Sequence, residues 1–354
     1  MSDPHKSNLN TVVLHIQSIM LVVFILIVFL VFLIFQLFNT TESLIPRFPK
    51  KIREVKFSAI KYNKNTPDYW NGPELAEING SAIEQQIIYG KDLIAHTAKY
   101  LGPKGSVAQI TNGMNCQNCH LEAGTKIYGN NYGSVASTFP KFRARSGTFE
   151  SVYKRVNDCI ERSLNGQALD TLSLEMQAIK AYFLFLGKNV ERGTQVRGSG
   201  LKELPFLDRA ADPEKGKSIY MTKCVSCHQK NGRGLLNPDD IEFVYPPLWG
   251  PSSFSAQAGL YRISNMAKYI KYNMPLGATY DAPQLSDEES WDIAAFINIQ
   301  TRPFKNRSND WPDISKKPID HPFGPFNDEF SETQHKFGPY KPINEARKSN
   351  ILTK

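Results

Sequence analysis

Cysteine is scarce: the 354 residues carry five. Four of them fall in two equal spacings, "CQNCH" (Cys116, Cys119, His120) and "CVSCH" (Cys224, Cys227, His228), which leaves one thiol, Cys159, without a partner. A cleavage signal is also missing. The run Ile19–Phe35 has seventeen apolar residues and no charge, and apolar character extends from Val12 to Phe38 with four polar exceptions. About 20 such residues cross a bilayer. The chain continues "NTTESLIPRF", without a small-x-small site, so 12–38 reads as an uncleaved anchor rather than a removed leader. Basic residues are sparse before the run, where Lys6 alone is certain to be charged. The net charge of +8 favours anionic partners, but scattered surface lysines give the same sum, and nucleic acid is not expected.

The two Cys-x-x-Cys-His motifs have the spacing of c-type haem attachment. Two thiols three residues apart on a turn can form thioethers to both haem vinyl groups, and the adjacent imidazole then reaches the iron. A redox dithiol or half a zinc site is the alternative for one Cys-x-x-Cys. Two copies, each ending in His, point to two covalently bound haems. The surroundings repeat as well: "GKDLI" (Gly90–Ile94) precedes the first motif and "GKSIY" (Gly216–Tyr220) the second. In the second, Asp212 reads as an N-cap with Pro213 at the first helical position. A further amphipathic helix follows each motif, "SLEMQAIKAYFLFLG" and "LSDEESWDIAAFINIQ", the latter opened by a Ser286/Glu289 capping box.

This order resembles the small all-helical cytochrome c fold used twice. The expected organisation is all-α: an N-terminal tail over 1–11, the anchor over 12–38, a juxtamembrane linker over 39–66, a first domain over 67–192, a linker over 193–207, a second domain over 208–301, and a Pro-rich extension over 302–354. Arg47, Lys50, Lys51, Arg53 and Lys56 follow the anchor, and by charge alone would hold the C-terminal side in the cytoplasm. Large domains translocate despite such charge, and the haem motifs favour the periplasmic side of a bacterial inner membrane; cleavage would instead leave a soluble periplasmic protein. The extension repeats proline without a helical or strand period, and is expected to lie extended over the domains.

Intervals suggest the distal ligands. Met274 in "YNMPLG" stands 46 residues after His228 and 22 before Phe296, with Met266 as its competitor. A thioether favours reduced iron and raises the potential. Tyr182 matches Phe296 in the repeat, and 23 residues before it lies Cys159. Cys159 is thus the candidate distal ligand of the first haem; a buried hydrophobic role for the thiol, or ligation by His96, competes. If 149–164 is one helix, Arg155, Cys159 and Ser163 share a face, with Arg162 on its flank and Arg143 and Arg145 upstream. Guanidinium groups beside a thiol suit a small oxyanion and favour the thiolate. The competing reading pairs these arginines with haem propionates or water.

The segment "FRARSGTFESVYKRVNDCIERSLNG", between two Cys-x-x-Cys-His motifs and followed by "NMPLG", resembles the dihaem thiosulfate dehydrogenase/tetrathionate reductase family, related to SoxA cytochromes. The likeness covers about 67–343 and includes "DHPFGPFNDEF" and "QHKFGPYKPI". It implies coupling of two thiosulfates to tetrathionate at a His120/Cys159 haem, with Cys159 essential and Arg145, Arg155 and Ser163 where the family contacts the anion. Electrons would leave through a His228/Met274 haem to a redox partner such as a cytochrome c. Some members carry Lys before that methionine; Asn273 stands here, so ligand switching is not expected, and the direction of catalysis stays open. A SoxA-like conjugating cytochrome, a dihaem peroxidase and a membrane-anchored electron carrier without its own substrate are the rivals. His321 and His335 in the extension are not expected to ligate iron.

Overall fold

A computed structural model describes residues 4–42, 69–305 and 308–352, in two compact units, Met1–Ile52 and Arg53–Lys354. Most of the linker expected over 39–66, with its basic residues, lies outside the described residues. The first unit is a helix, Pro4–Glu42. It begins inside the expected N-terminal tail, at a proline, whose missing N–H no first helical turn would use. Its 18-residue stretch Gln17–Ile34 is long and apolar enough to cross a membrane. At 1.5 Å per residue that stretch spans about 27 Å, close to the thickness of a hydrocarbon core.

The second unit is built on two crossed helix pairs, each with its own hydrophobic core. Glu84–Ala95 packs on Leu174–Leu186, and Pro213–Lys223 on Asp287–Asn298. Ile87, Leu93 and Ile94 join Met176, Ile179 and Phe183 in the first core; Trp291, Ile293 and Ile297 belong to the second, and the buried Tyr220 packs on Trp249 and Phe296. The starts are capped as the sequence suggests. Ser173 accepts from the Met176 N–H at 3.2 Å, Asp212 from Glu214 at 2.9 Å, and Ser286 from Glu289 at 3.0 Å, with Glu289 accepting in return from Ser286 at 2.8 Å. Each such cap contributes about 1 kcal/mol.

The repeated glycine has a reason at each crossing. A Cβ on Gly90 would stand 2.0 Å from the Ala178 carbonyl oxygen, and one on Gly216 1.9 Å from that of Asp292. Only a residue without a side chain lets these backbones come so near. Ala178 lies four residues before Tyr182 and Asp292 four before Phe296, so the crossings align the two halves as the sequence match does.

A third helix in each half, Val152–Arg162 and Ile263–Asn273, carries Cys159 and leads into Met274. The first of these starts later than expected over 149–164. Phe149 belongs instead to a short hairpin, Lys141–Arg143 against Thr148–Glu150, with Phe142 opposite Phe149. Gly147 turns the hairpin at φ 68°, and Ser151 then caps the helix by accepting from the Lys154 N–H at 3.2 Å.

The halves touch through polar contacts: His96 Nδ1 with Glu242 at 3.1 Å, the Tyr269 hydroxyl donating to Asn118 O at 2.8 Å, and Ser255 N–H to Arg162 O at 3.1 Å. Within 193–207, Gly198 and Gly200 accept from the Tyr128 and Asn130 N–H groups at 2.8 and 3.0 Å, so this connection is pinned to the first half.

The extension corrects an expectation. It contains two helices, Glu332–Phe337 and Tyr340–Leu352, where no period was read. Ser331 caps the first, accepting from the Gln334 N–H at 3.2 Å. Pro342 falls in the first turn of the second, where its missing N–H costs little. Tyr340 and Ile343 are buried against the second core and supply the tertiary drive that a weak local pattern lacks.

Candidate functional site

The first motif sits on a tight turn, Cys116–Asn118, fixed from both sides. Asn115 Oδ1 accepts from the Ala98 N–H at 2.8 Å, and the Cys116 N–H donates to Thr97 Oγ1 at 2.9 Å. His120 donates from Nδ1 to Asn130 O at 2.6 Å, and Tyr132 stacks on its ring at 4.4 Å. In the second half His228 donates from Nδ1 to Pro246 O at 2.9 Å. Each imidazole is thereby held in one tautomer, with no hydrogen bond at Nε2 among the described residues, the arrangement of a metal-ligating histidine. Burial keeps both neutral, lowering His120 to about 4 and His228 below its ordinary value.

Burial also pushes the Cys116 thiol up to about 11 and Cys119 to about 12, with the Cys159 charge adding to both. The Cys159 thiol therefore lies within electrostatic reach of both thiols of the first motif. It faces two arginines. The Cys159 charge is the largest influence on Arg155 and raises its pKa, and it acts also on Arg143, which burial lowers. Arg145 feels chiefly burial, which brings it down to about 10, and then Arg162, Asp310 and Arg155.

Of the residues proposed from sequence, the structure brings together Cys116, Cys119, His120, Arg155 and Cys159. Ser163 ends the helix, its N–H donating to Cys159 O at 2.8 Å. Arg145 stands one arginine further out. Arg162 has another use: it is 6% exposed and makes a bidentate pair with Asp310 at 2.7 and 2.8 Å, tying the extension to the Cys159 helix. His96, the alternative ligand, is 44% exposed in its side chain and paired with Glu242. His335 is fully buried between Ile319 O and Asp328, at 2.7 and 2.8 Å. Sequence reasoning missed Glu150, which is 3% exposed and whose charge acts on Arg155 and Arg143. A lone acid on a two-stranded hairpin gives no signal of that kind.

The second motif opens on an apolar cavity of about 340 Å³ whose lining includes Cys224, Cys227, His228, Met266 and Met274. The two methionines differ in setting. Met266 is buried inside its helix, whereas Met274 follows the helix end in an extended conformation. The lining also includes part of the first motif, Gln117, Asn118 and Cys119. Asn273 is committed elsewhere, donating from Nδ2 to Tyr128 O at 3.2 Å.

One further arginine tests whether this cavity suits a haem. Arg302 lies 4.3 Å from the Phe254 ring and donates from Nη2 to Ile297 O at 2.6 Å; Phe254 and Ile297 both line the cavity. Its Nε and Nη1 are buried without a hydrogen-bond partner among the described residues. A buried, unpaired guanidinium is costly. Arg302 lines a neighbouring surface pocket rather than this cavity, so the fit to a haem rests on the thiols, the imidazole and the apolar lining, with this cation behind the Phe254 and Ile297 wall.

Comparison with known proteins agrees. A family profile described as "Cytochrome c" matches residues 213–300, and one described as "SoxA/TsdA, cytochrome c domain" matches 106–191. The thiosulfate dehydrogenase of Allochromatium vinosum is 35% identical over 235 residues, 65% of this chain and 83% of its own length. The chain belongs to the thiosulfate dehydrogenase family. The enzyme of that name from Psychrobacter arcticus is 36% identical over 236 residues, 66% of this chain and 67% of its own. A solved structure of the TsdBA thiosulfate dehydrogenase from Marichromatium purpuratum matches with a TM-score of 0.62 at 27% identity, over 71% of this chain. It covers 52% of that structure, so the chain spans about half its length. As a thiosulfate dehydrogenase family member with two cytochrome c domains, the protein is a c-type haem oxidoreductase.

Proposed function

We propose that this protein oxidises two thiosulfate ions to tetrathionate at a haem held by Cys116, Cys119 and His120, with Cys159 as its distal ligand. Cys224, Cys227, His228 and Met274 would hold a second haem, which would supply the route for electrons to an external redox protein such as a cytochrome c. The observation that carries the reading is the placement of Cys159 one helical turn from Arg155 and within electrostatic reach of both thiols of the first motif.

Thiosulfate is a dianion, and two unit charges about 4 Å apart repel by about 4 kcal/mol at an effective dielectric of 20. Arg155, with Arg143 beside it, offsets that repulsion. The Cys159 thiolate bonds to the sulfane sulfur of one thiosulfate, forming Cys–S–S–SO₃⁻ with release of two electrons. The sulfane sulfur of a second thiosulfate attacks the adduct at its sulfane sulfur. The cysteine thiolate departs and tetrathionate is released, so atoms and charge balance. Haems held by the two Cys-x-x-Cys-His motifs would supply the one-electron acceptors for these two electrons. Burial of His120, with Nδ1 fixed on Asn130 O, holds the imidazole neutral and oriented.

The wall shared by the second cavity and the first motif supports electron passage between the sites. Leu276, 81% exposed at the mouth of that cavity, offers an apolar contact to a redox partner. The apolar N-terminal helix supports anchorage at the periplasmic face. The test uses the haem-loaded full-length chain in detergent, oxidised and anaerobic. Thiosulfate should reduce haem and yield tetrathionate, and Cys159→Gly should abolish both. Normal turnover in Cys159→Gly would refute the mechanism. A thiosulfate-dependent spectral change without tetrathionate would favour conjugation to a carrier instead.

A further inference from the structure

The loop that follows Met274 has few bonds of its own. Between Met274 and Leu285, the Ala278 N–H donates to Pro275 O at 2.9 Å and the Thr279 N–H to Ala282 O at 3.4 Å, and residues 281–284 are exposed. Its own half fastens the far end, where Lys271 Nζ donates to Leu285 O at 2.6 Å. The near end and the middle are held from elsewhere. Asn273 donates to Tyr128 O at 3.2 Å and Lys126 Nζ to Ala278 O at 3.5 Å, both reaching across to the first half. From the connection between the halves, Lys202 Nζ donates to Tyr280 O at 2.9 Å.

Three tyrosines close this contact. The Tyr280 ring lies 4.8 Å from that of Tyr69 and 5.4 Å from that of Tyr128, and Tyr69 and Tyr128 are 5.8 Å apart, centre to centre. The rings are tilted or edge-to-face, at separations where aromatic pairs attract beyond the area they bury. Arg197 stands 4.3 Å from the Tyr69 ring and Lys202 5.6 Å from that of Tyr280, which adds a cation beside each.

The first half offers a fixed base for this clasp. Trp70, next to Tyr69, is 4% exposed in the first core, and its N–H donates to Arg197 O at 3.1 Å. Two residues beyond Tyr128, Asn130 O accepts from His120 Nδ1 at 2.6 Å. The stretch 128–130 therefore braces the first motif's imidazole and the Met274 loop together.

We propose that the first half of the molecule closes the Met274 loop, with Tyr69 and Tyr280 as positioning residues for the Met274 sulfur. Neither ring lines the cavity of the second motif, so both act through the loop. That the sulfur meets iron rests on the proposed function; closure of the loop does not. A thioether ligand raises the potential of a haem, so a loop held shut keeps the second site able to draw electrons from the first. Without the clasp the loop opens more often, because a segment with few bonds of its own opens locally while the rest stays folded.

The haem-loaded full-length chain in detergent, fully oxidised, gives two readouts. One is the weak far-red band that a methionine sulfur gives oxidised haem, followed as pH is raised; the other is amide exchange of peptides within 274–285. Loss of both ring pairs of Tyr69 should raise the open fraction of the loop about tenfold. Alkaline displacement of the sulfur needs the open loop, so Tyr69→Ala should lose the band about one pH unit below wild type. Exchange in 274–285 should be about tenfold faster, with exchange in Pro213–Lys223 unchanged. Tyr69→Phe keeps the ring and should behave as wild type. Tyr280→Ala should match Tyr69→Ala, and the double variant should add little, because the two share one contact. Wild-type band titration and exchange in Tyr69→Ala would overturn the clasp, as would equal effects of Tyr69→Ala and Tyr69→Phe. Should the wild type show no methionine band while Tyr69→Ala still speeds exchange in 274–285, the assignment of Met274 to iron falls and the clasp stands.

Discussion

The closest backbone approaches in the haem domains give a stability prediction with a calculable size. A methyl group at Gly216 would lie 1.9 Å from the Asp292 carbonyl oxygen, where contacts under 3.0 Å essentially never occur. Gly216→Ala must therefore part the two helices by about 1 Å, and overpacking of this kind costs about 1–3 kcal/mol. The obstacle is a backbone carbonyl and cannot rotate aside, so the upper end applies. Alanine returns about 1 kcal/mol of helix propensity, leaving a net loss of about 2 kcal/mol. For a domain of this size, each kcal/mol lowers Tm by about 4–8 °C, so a fall of about 8–16 °C is expected. Gly90→Ala, 2.0 Å from Ala178 O, should do the same in the first half. Thermal unfolding of the haem-loaded chain, followed by haem absorbance and far-ultraviolet dichroism, reads both. Unchanged or raised Tm in the two variants would show that the helices do not cross in this way.

Arg302→Met should lower the midpoint potential of the second haem, because losing a nearby cation disfavours electron gain; spectroelectrochemistry decides, and an unchanged potential would separate this guanidinium from the haem. Asp320 is buried, which alone would raise its pKa, but Arg262 and the Ser264 hydroxyl and N–H prevail and hold it below the ordinary value. A depressed carboxylate contributes stability above the unfolded pKa of about 4 and loses it as pH falls through the folded value. Asp320→Asn should therefore be destabilised at neutral pH, with the gap to wild type closing in acid; a gap independent of pH from 7 to 3 would refute this. Ser286→Ala removes one half of a capping box and should cost about 1 kcal/mol in denaturant unfolding; equal stability would mean that the cap is idle.

The two Cys-x-x-Cys-His turns and their flanking helices were legible because their signals are local. Cys-x-x-Cys-His, the repeated Gly-Lys and the caps each lie within a few residues. Cys159 could be located by counting from Tyr182, since both halves keep the same interval between the third and last helices to within one residue. The hairpin at 141–150 was not legible: three-residue strands carry too little period, and the turn depends on Gly147 at positive φ. The helices of the extension were missed because Tyr340 and Ile343 stabilise them only by docking on the other core.

The sequence alone thus determined what local spacing dictates: two Cys-x-x-Cys-His turns, their imidazoles, and a fifth cysteine on an arginine-bearing helix. It could not assign the individual arginines, because a guanidinium takes its role from whatever shares its space. Arg155 meets Cys159, Arg162 is taken by Asp310 from 148 residues away, and Arg145 lies 5.5 Å from the Trp311 ring. Charge acts through distance in space rather than along the chain, and only tertiary packing sets that distance.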